Sequence, residues 1–256
     1  MAIYDIENLD RDELTDVSEV VQKSNTSVDV CIINFSYKIM DALIADGLVD
    51  IVEDVCIKSV SCDYPLYVVK GTRIGVIKTT VGAPITASLI EEVSHAYSCK
   101  KFVLFGTCGG LDKSISPNKI IVPTHACRDE GMSYHYAPPA DYIEIKNYKF
   151  VAEVLDSLNI DYVLGKTWTT DSFYRETRAK FNKVRSEGCI AVEMEVASCQ
   201  AVADWRGAEF YAMLFRADNL DSTKWERGII EKLAIDSRLQ QFFVALEVAK
   251  RLENKA

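Results

Sequence analysis

Residues 74–105 read IGVIKTTVGAPITASLIEEVSHAYSCKKFVLF, and this stretch decides the fold class. Residues 74–80 form a short apolar, β-branched run of the kind a strand buried on both faces requires. Gly82-Ala83-Pro84 then breaks the run, with Pro at a first helical position, where its missing N–H costs nothing. Ile85, Leu89, Val93 and Ala96 follow at helical spacing and give one apolar stripe. A second apolar run at 102–105 completes a strand–helix–strand unit, which places two strands parallel in one sheet.

The same alternation extends outward in both directions. Strand-like runs fall at 28–34, 66–70, 120–123, 162–169 and 210–215, and helical patterns at 147–158, 175–186, 194–205 and 224–252. No internal repeat and no Gly/Ser/Pro-rich linker interrupts them. The expectation is an α/β fold: a single domain over 1–256, with a central mostly parallel or mixed sheet flanked by helices.

Composition narrows the functional classes. The chain has 256 residues, 48% hydrophobic and 26% charged, and 29 basic against 38 acidic side chains give a net charge of −9. Such a chain repels nucleic acid and anionic membranes, so an anionic ligand needs a local site. The start, MAIYDIENLDRDELTD, has neither a basic nor an apolar leader segment. No run approaches the roughly 20 apolar residues of a membrane helix. Eight cysteines lie scattered without a CxxC pair, which points to a reducing, cytoplasmic setting and no metal site.

In open α/β sheets ligands sit at the carboxyl ends of strands, and four segments there carry polar chemistry. Gly82, between strand and helix, offers free N–H groups at a helix start to an anion or a sugar oxygen. Gly106-Thr107-Cys108-Gly109-Gly110 follows an apolar run and reads as a Gly-rich bend permitting close approach of a small ligand. Glu193-Met194-Glu195 lies at a helix start. The two carboxylates stand about 200° apart on a helix, so one faces a ligand while the other packs or caps. Asp218, in Arg216-Ala217-Asp218-Asn219, sits where burial can hold an acid protonated for general-acid work.

Taken together, GTCGG at 106–110, RDEGMSYHYAP at 128–138, TWTTDSFY at 167–174, AVEMEVAS at 191–198 and RADN at 216–219 resemble the nucleoside phosphorylase superfamily, which contains uridine phosphorylases, purine nucleoside phosphorylases and nucleosidases. The resemblance runs from about Ile74 to the C-terminus. It implies cleavage of a ribosyl N-glycosidic bond through an oxocarbenium-like transition state, with the base leaving and phosphate or water attacking; in the phosphorylase reading phosphate is the co-substrate and no other cofactor is expected. It also implies a homo-oligomer, a dimer or a hexamer. By this likeness Glu195 binds the ribose 2′ and 3′ hydroxyls, Met194 packs on the sugar, Phe173 stacks on the base and Glu193 lies at the rim. Thr107, with Cys108 and Gly109, touches phosphate and sugar, and Asp218 protonates a purine at N7.

The chain departs from that pattern where the family holds phosphate. Three arginine positions fall in 33–38, near Val60 and at Leu104, and none is arginine here. Lys38, Lys78 or Arg128 could substitute, although lysine lacks the bidentate fork. The uracil-reading Gln and Arg of uridine-specific members fall in 175–178, where Arg178 is the one obvious replacement. Asp218 favours a purine, whereas SYHYAP and DSFY look closer to uridine phosphorylases. The expectation is therefore a nucleoside phosphorylase acting on a purine or pyrimidine nucleoside. Two alternatives stay open: a hydrolytic nucleosidase, and a nucleoside-binding protein without catalysis.

Overall fold

The architecture, described for residues 13–60, 62–229 and 234–254 of a computed structural model, is a mixed sheet between two helical layers. Its strands are β1 (Val30–Asn34), β2 (Val49–Ile51), β3 (Ile57–Lys58), β4 (Asp63–Tyr64), β5 (Leu66–Val69), β6 (Ile74–Lys78), β7 (Lys101–Gly110), β8 (Ile120–Asp129), β9 (Tyr142–Glu144), β10 (Tyr162–Thr170), β11 (Cys189–Glu193) and β12 (Glu209–Asn219). The helices are α1 (Val17–Val20), α2 (Tyr37–Ala45), α3 (Ala83–Tyr97), α4 (Tyr148–Ser157), α5 (Arg178–Ser186), α6 (Val196–Trp205) and α7 (Ile235–Glu253).

Ten strands join in the order β11-β10-β8-β12-β7-β1-β6-β5-β2, with β9 beside β8, while β3 and β4 form a separate hairpin. The opening unit is as read: β6 and β7 run parallel on either side of β1, linked by α3. That helix starts at Gly82, whose φ of 123° suits glycine, and ends on left-handed Ser98. Period-two burial sorts the strand residues between the layers. Cys31, Ile33, Phe102 and Leu104 pack with α3 and α6. Val30, Ile32, Val103 and Phe105 pack with α2, α4 and α7.

A closure at one end of the sheet was not foreseen. β11 pairs antiparallel with β7 through Val192↔Gly109 and Ala191↔Gly110, so β7, β12, β8, β10 and β11 form a ring. The expected strand at 102–105 therefore continues to Gly110, and the Gly-rich segment is strand, not bend. β12 holds it there, pairing Phe215 with Thr107, Arg216 with Cys108 and, after a bulge at Ala217, Asp218 with Gly109. Glycine is required at the closure: a Cβ on Gly109 would stand 2.7 Å from Leu220, 2.8 Å from Val192 and 3.0 Å from Asp218 Oδ1.

Other boundaries shift for local reasons. The helix expected over 224–252 begins at Ile235, because Asn219 and Glu226 form a backbone bridge that keeps the preceding segment extended; its residues 230–233 lie outside the described residues, as does most of the acidic start at 1–16. The helix expected at 175 begins at Arg178, since Thr177 Oγ1 caps it by accepting from Lys180 N at 3.3 Å. The helix expected at 194 begins at Val196. Among the described residues no helix is long and apolar enough to cross a membrane, the eight cysteines are free thiols, and no cluster of metal-ligating side chains occurs.

Candidate active site

Where the ring closes, a cavity of about 710 Å³ opens beside the ends of β7, β11 and β12. Thr107, Cys108 and Gly109 form its floor, Glu193, Met194 and Glu195 one wall, and Asp218 another. Phe173, Tyr174, Glu176 and Arg178 face them from the turn before α5, and Trp225 and Arg227 from the segment after β12. Apart from the three cations considered as substitutes on phosphate, Gly82 alone of the residues given a ligand contact from sequence is absent from this lining. Its N–H donates to Glu195 Oε1 at 2.7 Å. The helix start expected to hold an external anion therefore holds the chain's own carboxylate.

The two glutamates do not share a helix, as the spacing argument had them, and their surroundings separate them instead. Glu193 ends β11 and is 5% exposed, not at the rim. Its Oε2 accepts from Glu195 N and Val196 N, both at 2.7 Å, which caps α6. Its Oε1 accepts from the hydroxyl of Thr167 at 3.2 Å and from that of Thr169. Burial raises its pKa against the pull of these bonds. Glu195 is 7% exposed; burial, followed by repulsion from Glu193, pushes it up to about 8, opposed by the Gly82 and Met194 amides. A carboxyl poised between its two states near neutrality can either accept from or donate to a hydroxyl. The Cys108 thiol is pushed well above its ordinary value by burial, so it packs as a small apolar group and is no nucleophile.

Asp218 stands opposite. Burial raises its pKa, and the Trp225 indole, donating to Oδ2 at 2.6 Å, pulls the other way. The segment carrying Trp225 is pinned to β12: Asn219 and Glu226 exchange backbone hydrogen bonds of 3.0 Å, and Ile229 N donates to Ala217 O at 2.8 Å. Gly228, at φ +56°, lies against Ala217 and Asp218 where a side chain would collide with backbone. Trp225 itself is 56% exposed and forms the outer wall with Phe173 and Tyr174, whose ring centroids lie 4.0 Å apart at a 39° tilt.

Glu176 was not among the residues singled out for the site, and neither were Trp225 and Arg227. Burial, with repulsion from Asp218, raises Glu176 to about 7. The sequence signal was weak: one acid in a charged turn, and one Trp in a polar loop. Arg178 lines the cavity, but its guanidinium donates to the carbonyls of Ser222 at 2.6 Å and Leu220 at 3.4 Å and covers the Phe181 ring. It therefore ties the post-β12 segment to α5.

Of the three substitute cations, Arg128 is committed elsewhere, donating to Pro138 O at 2.6 Å, Ala137 O at 3.2 Å and Ser133 Oγ at 2.8 Å, with Tyr134 stacked beneath it. Lys78 lines neither this cavity nor a smaller one of about 220 Å³. Lys38 does line the smaller cavity, together with Arg238 of α7, and Thr107 borders both spaces. Leu104 is 1% exposed and packs in the core.

A closed-ended α/β sheet whose cleft combines buried carboxyls with an aromatic wall suits an enzyme that acts on a small, flat, polar molecule. Residues 34–246 match the Phosphorylase superfamily, and the chain belongs to it. It is 27% identical over 183 residues to "Purine nucleoside phosphorylase DeoD-type" of a Bacillus cereus strain, an alignment covering 67% of this chain and 78% of that protein. The protein of the same name from Bacillus thuringiensis (strain Al Hakam) matches with the same figures. Two solved structures share the fold. Purine nucleoside phosphorylase from Toxoplasma gondii in complex with immucillin-H superposes with a TM-score of 0.75 at 18% identity, covering 93% of this chain and 98% of that one. AMP nucleosidase from Bacteroides thetaiotaomicron gives 0.68 at 19% identity, covering 92% and 94%.

Proposed function

We propose that the protein is a purine nucleoside phosphorylase, which cleaves the bond between ribose C1′ and N9 with phosphate to release the free base and ribose 1-phosphate. The single observation that carries this reading is Asp218, a half-buried carboxyl of raised pKa held by an indole N–H in an aromatic-walled cleft. As the glycosidic bond breaks, electrons pass to the base, and a protonated Asp218 donates to N7 as general acid. Glu195 engages the ribose 2′ and 3′ hydroxyls, so its hydrogen bonds strengthen as positive charge develops on the ring. Met194 packs on the sugar, Phe173 on the base, and Glu193 positions Glu195 through the two adjacent amides. Phosphate lies by Thr107 toward Lys38 and Arg238, and no further cofactor is needed.

The purine relatives support this substrate, as does the commitment of Arg178 to main-chain carbonyls, which turns that guanidinium away from a uracil. A hydrolytic reading draws on Leu104, since a core leucine holds no anion, and on the AMP nucleosidase likeness in fold. Base release from adenosine, inosine, guanosine and uridine, followed by chromatography with phosphate and in phosphate-free buffer, separates them. Phosphate-dependent release of a purine base is the expected result. Equal release without phosphate makes the enzyme a nucleosidase, and binding without release makes it a nucleoside-binding protein.

A further inference from the structure

Glu176 has no place in the chemistry above, yet its carboxyl faces the same cavity as Asp218 and is half-buried. Among the described residues that carboxyl receives no hydrogen bond and no ion pair, although Arg175 and Arg178 lie on its own segment and Arg227 on the cavity wall opposite. The remaining ionisable groups on the lining are Asp218 from β12, Glu193 and Glu195 at the β11–α6 junction, Tyr174 and Cys108. An unpartnered carboxyl that shares an aromatic-walled cleft with a second one is suited to reading a second polar position on a planar ring held there.

We infer that Glu176 is a specificity-determining residue that reads the substituent at position 6 of a purine whose N7 faces Asp218. The inference rests on the base site proposed above. N7 and the position-6 substituent lie side by side on one edge of the base. A 6-aminopurine presents an acceptor at N7 and an N–H donor beside it, so a pair of carboxyls satisfies it while carrying one proton. A 6-oxopurine presents two acceptors and requires a proton on each carboxyl. The two substrates thus differ by one bound proton, and their relative affinity depends on pH. Burial, followed by repulsion between the carboxyls, places the Glu176 transition at about 7, so raising the pH favours the 6-amino base.

The test is adenosine against inosine binding by calorimetry in phosphate-free buffer from pH 6 to 8, with kcat/KM for both in phosphate over the same range. In the wild type the adenosine-to-inosine affinity ratio is expected to rise about tenfold across this interval, the change that one proton titrating near the midpoint allows. In Glu176→Gln, whose amide both donates and accepts, the ratio becomes independent of pH while adenosine binding persists. A purely structural role for Glu176 would move both affinities together and leave their pH dependence alone. A wild-type ratio that is flat with pH, a variant that keeps the slope, or failure of both nucleosides to bind overturns the inference. Binding with the expected slope but no base release would leave it standing while refuting the phosphorylase reading.

Discussion

The sheet has two unlike halves. From β7 through β12, β8 and β10 to β11 the strands close into a ring, whereas β1, β6, β5 and β2 run out to an open edge. The closed half gathers acids: buried Glu193 at the end of β11 and buried Glu195 just after it, with half-buried Asp218 on β12. The open half brings Lys38, just beyond β1, to the smaller cavity, where Arg238 meets it from α7. Closure removes backbone from water and fixes side chains to within the tolerance of a strand register, which suits carboxyls whose proton affinity depends on burial. A cation binding a mobile dianion needs less desolvation and works at the end of a helix or loop. Under the proposed function, base and sugar chemistry belongs to the ring and anion chemistry to the open side.

Asp218→Asn attacks the ring's chemistry directly. It keeps the shape but cannot transfer a proton, and kcat on purine nucleosides is expected to fall about 10²-fold or more; an unchanged rate would dismiss the acid assignment. Glu195→Ala tests the sugar end, and ribonucleosides are expected to lose about tenfold more kcat/KM than their 2′-deoxy counterparts. Glu195 also carries a pH signature. Its folded pKa of about 8 lies above the ordinary carboxylate value, so its contribution to stability is complete at low pH and is lost as pH rises toward and through 8. Glu195→Gln should flatten that limb of the Tm profile. On the open side, Arg238→Ala should raise the KM for phosphate about tenfold while leaving nucleoside binding intact; an unaltered phosphate KM would separate the smaller cavity from the reaction.

Glycine substitutions sharpen the same contrast in stability. Gly109→Ala forces a Cβ within 3.0 Å of Leu220, Val192 and Asp218, and should cost about 1–3 kcal/mol in chemical denaturation through overpacking. Gly71, in the turn between β5 and β6, has nothing within 4 Å of a Cβ but a φ of +74°, so Gly71→Ala costs only the dihedral strain of about 1 kcal/mol. Equal losses would show that closure is looser than its contacts indicate.

The same division governs what the sequence made legible. Local patterns announced β6, α3 and β7 because each follows from burial periodicity or from Pro84. The motif residues of the cleft were visible because they lie beside apolar runs. The β7–β11 pairing was not, since it joins residues some 80 positions apart, Gly109 with Val192, through backbone groups that any residue possesses. Without that pairing Gly106–Gly110 reads as a bend, whereas the rim position of Glu193 followed from the family likeness and is displaced by its burial at the end of β11. Glu176 escaped for a related reason, because its perturbed acidity arises from burial and from Asp218, a neighbour only in space. The engagement of Gly82 by Glu195 is likewise a contact between distant segments.

The smallest expected effect tests how firmly the ring's acid is held from outside. Trp225→Phe keeps the aromatic wall but removes the indole N–H that donates to Asp218 Oδ2. That bond lowers the Asp218 pKa against the effect of burial, so its loss should raise the pKa and shift the alkaline limb of the kcat profile to higher pH. A single hydrogen bond to a charged group is worth about 1.5–3 kcal/mol at most when buried, and Trp225 is largely exposed, so the change in kcat near neutrality should be only about threefold. Because Asn219 and Glu226 pin the segment independently of the indole, the variant should retain the wild-type Tm within about a degree or two. An unshifted limb would mean that Trp225 encloses the base without setting the acid's proton affinity, leaving burial, opposed by the Asp218 backbone amide and the Arg216 charge, in control.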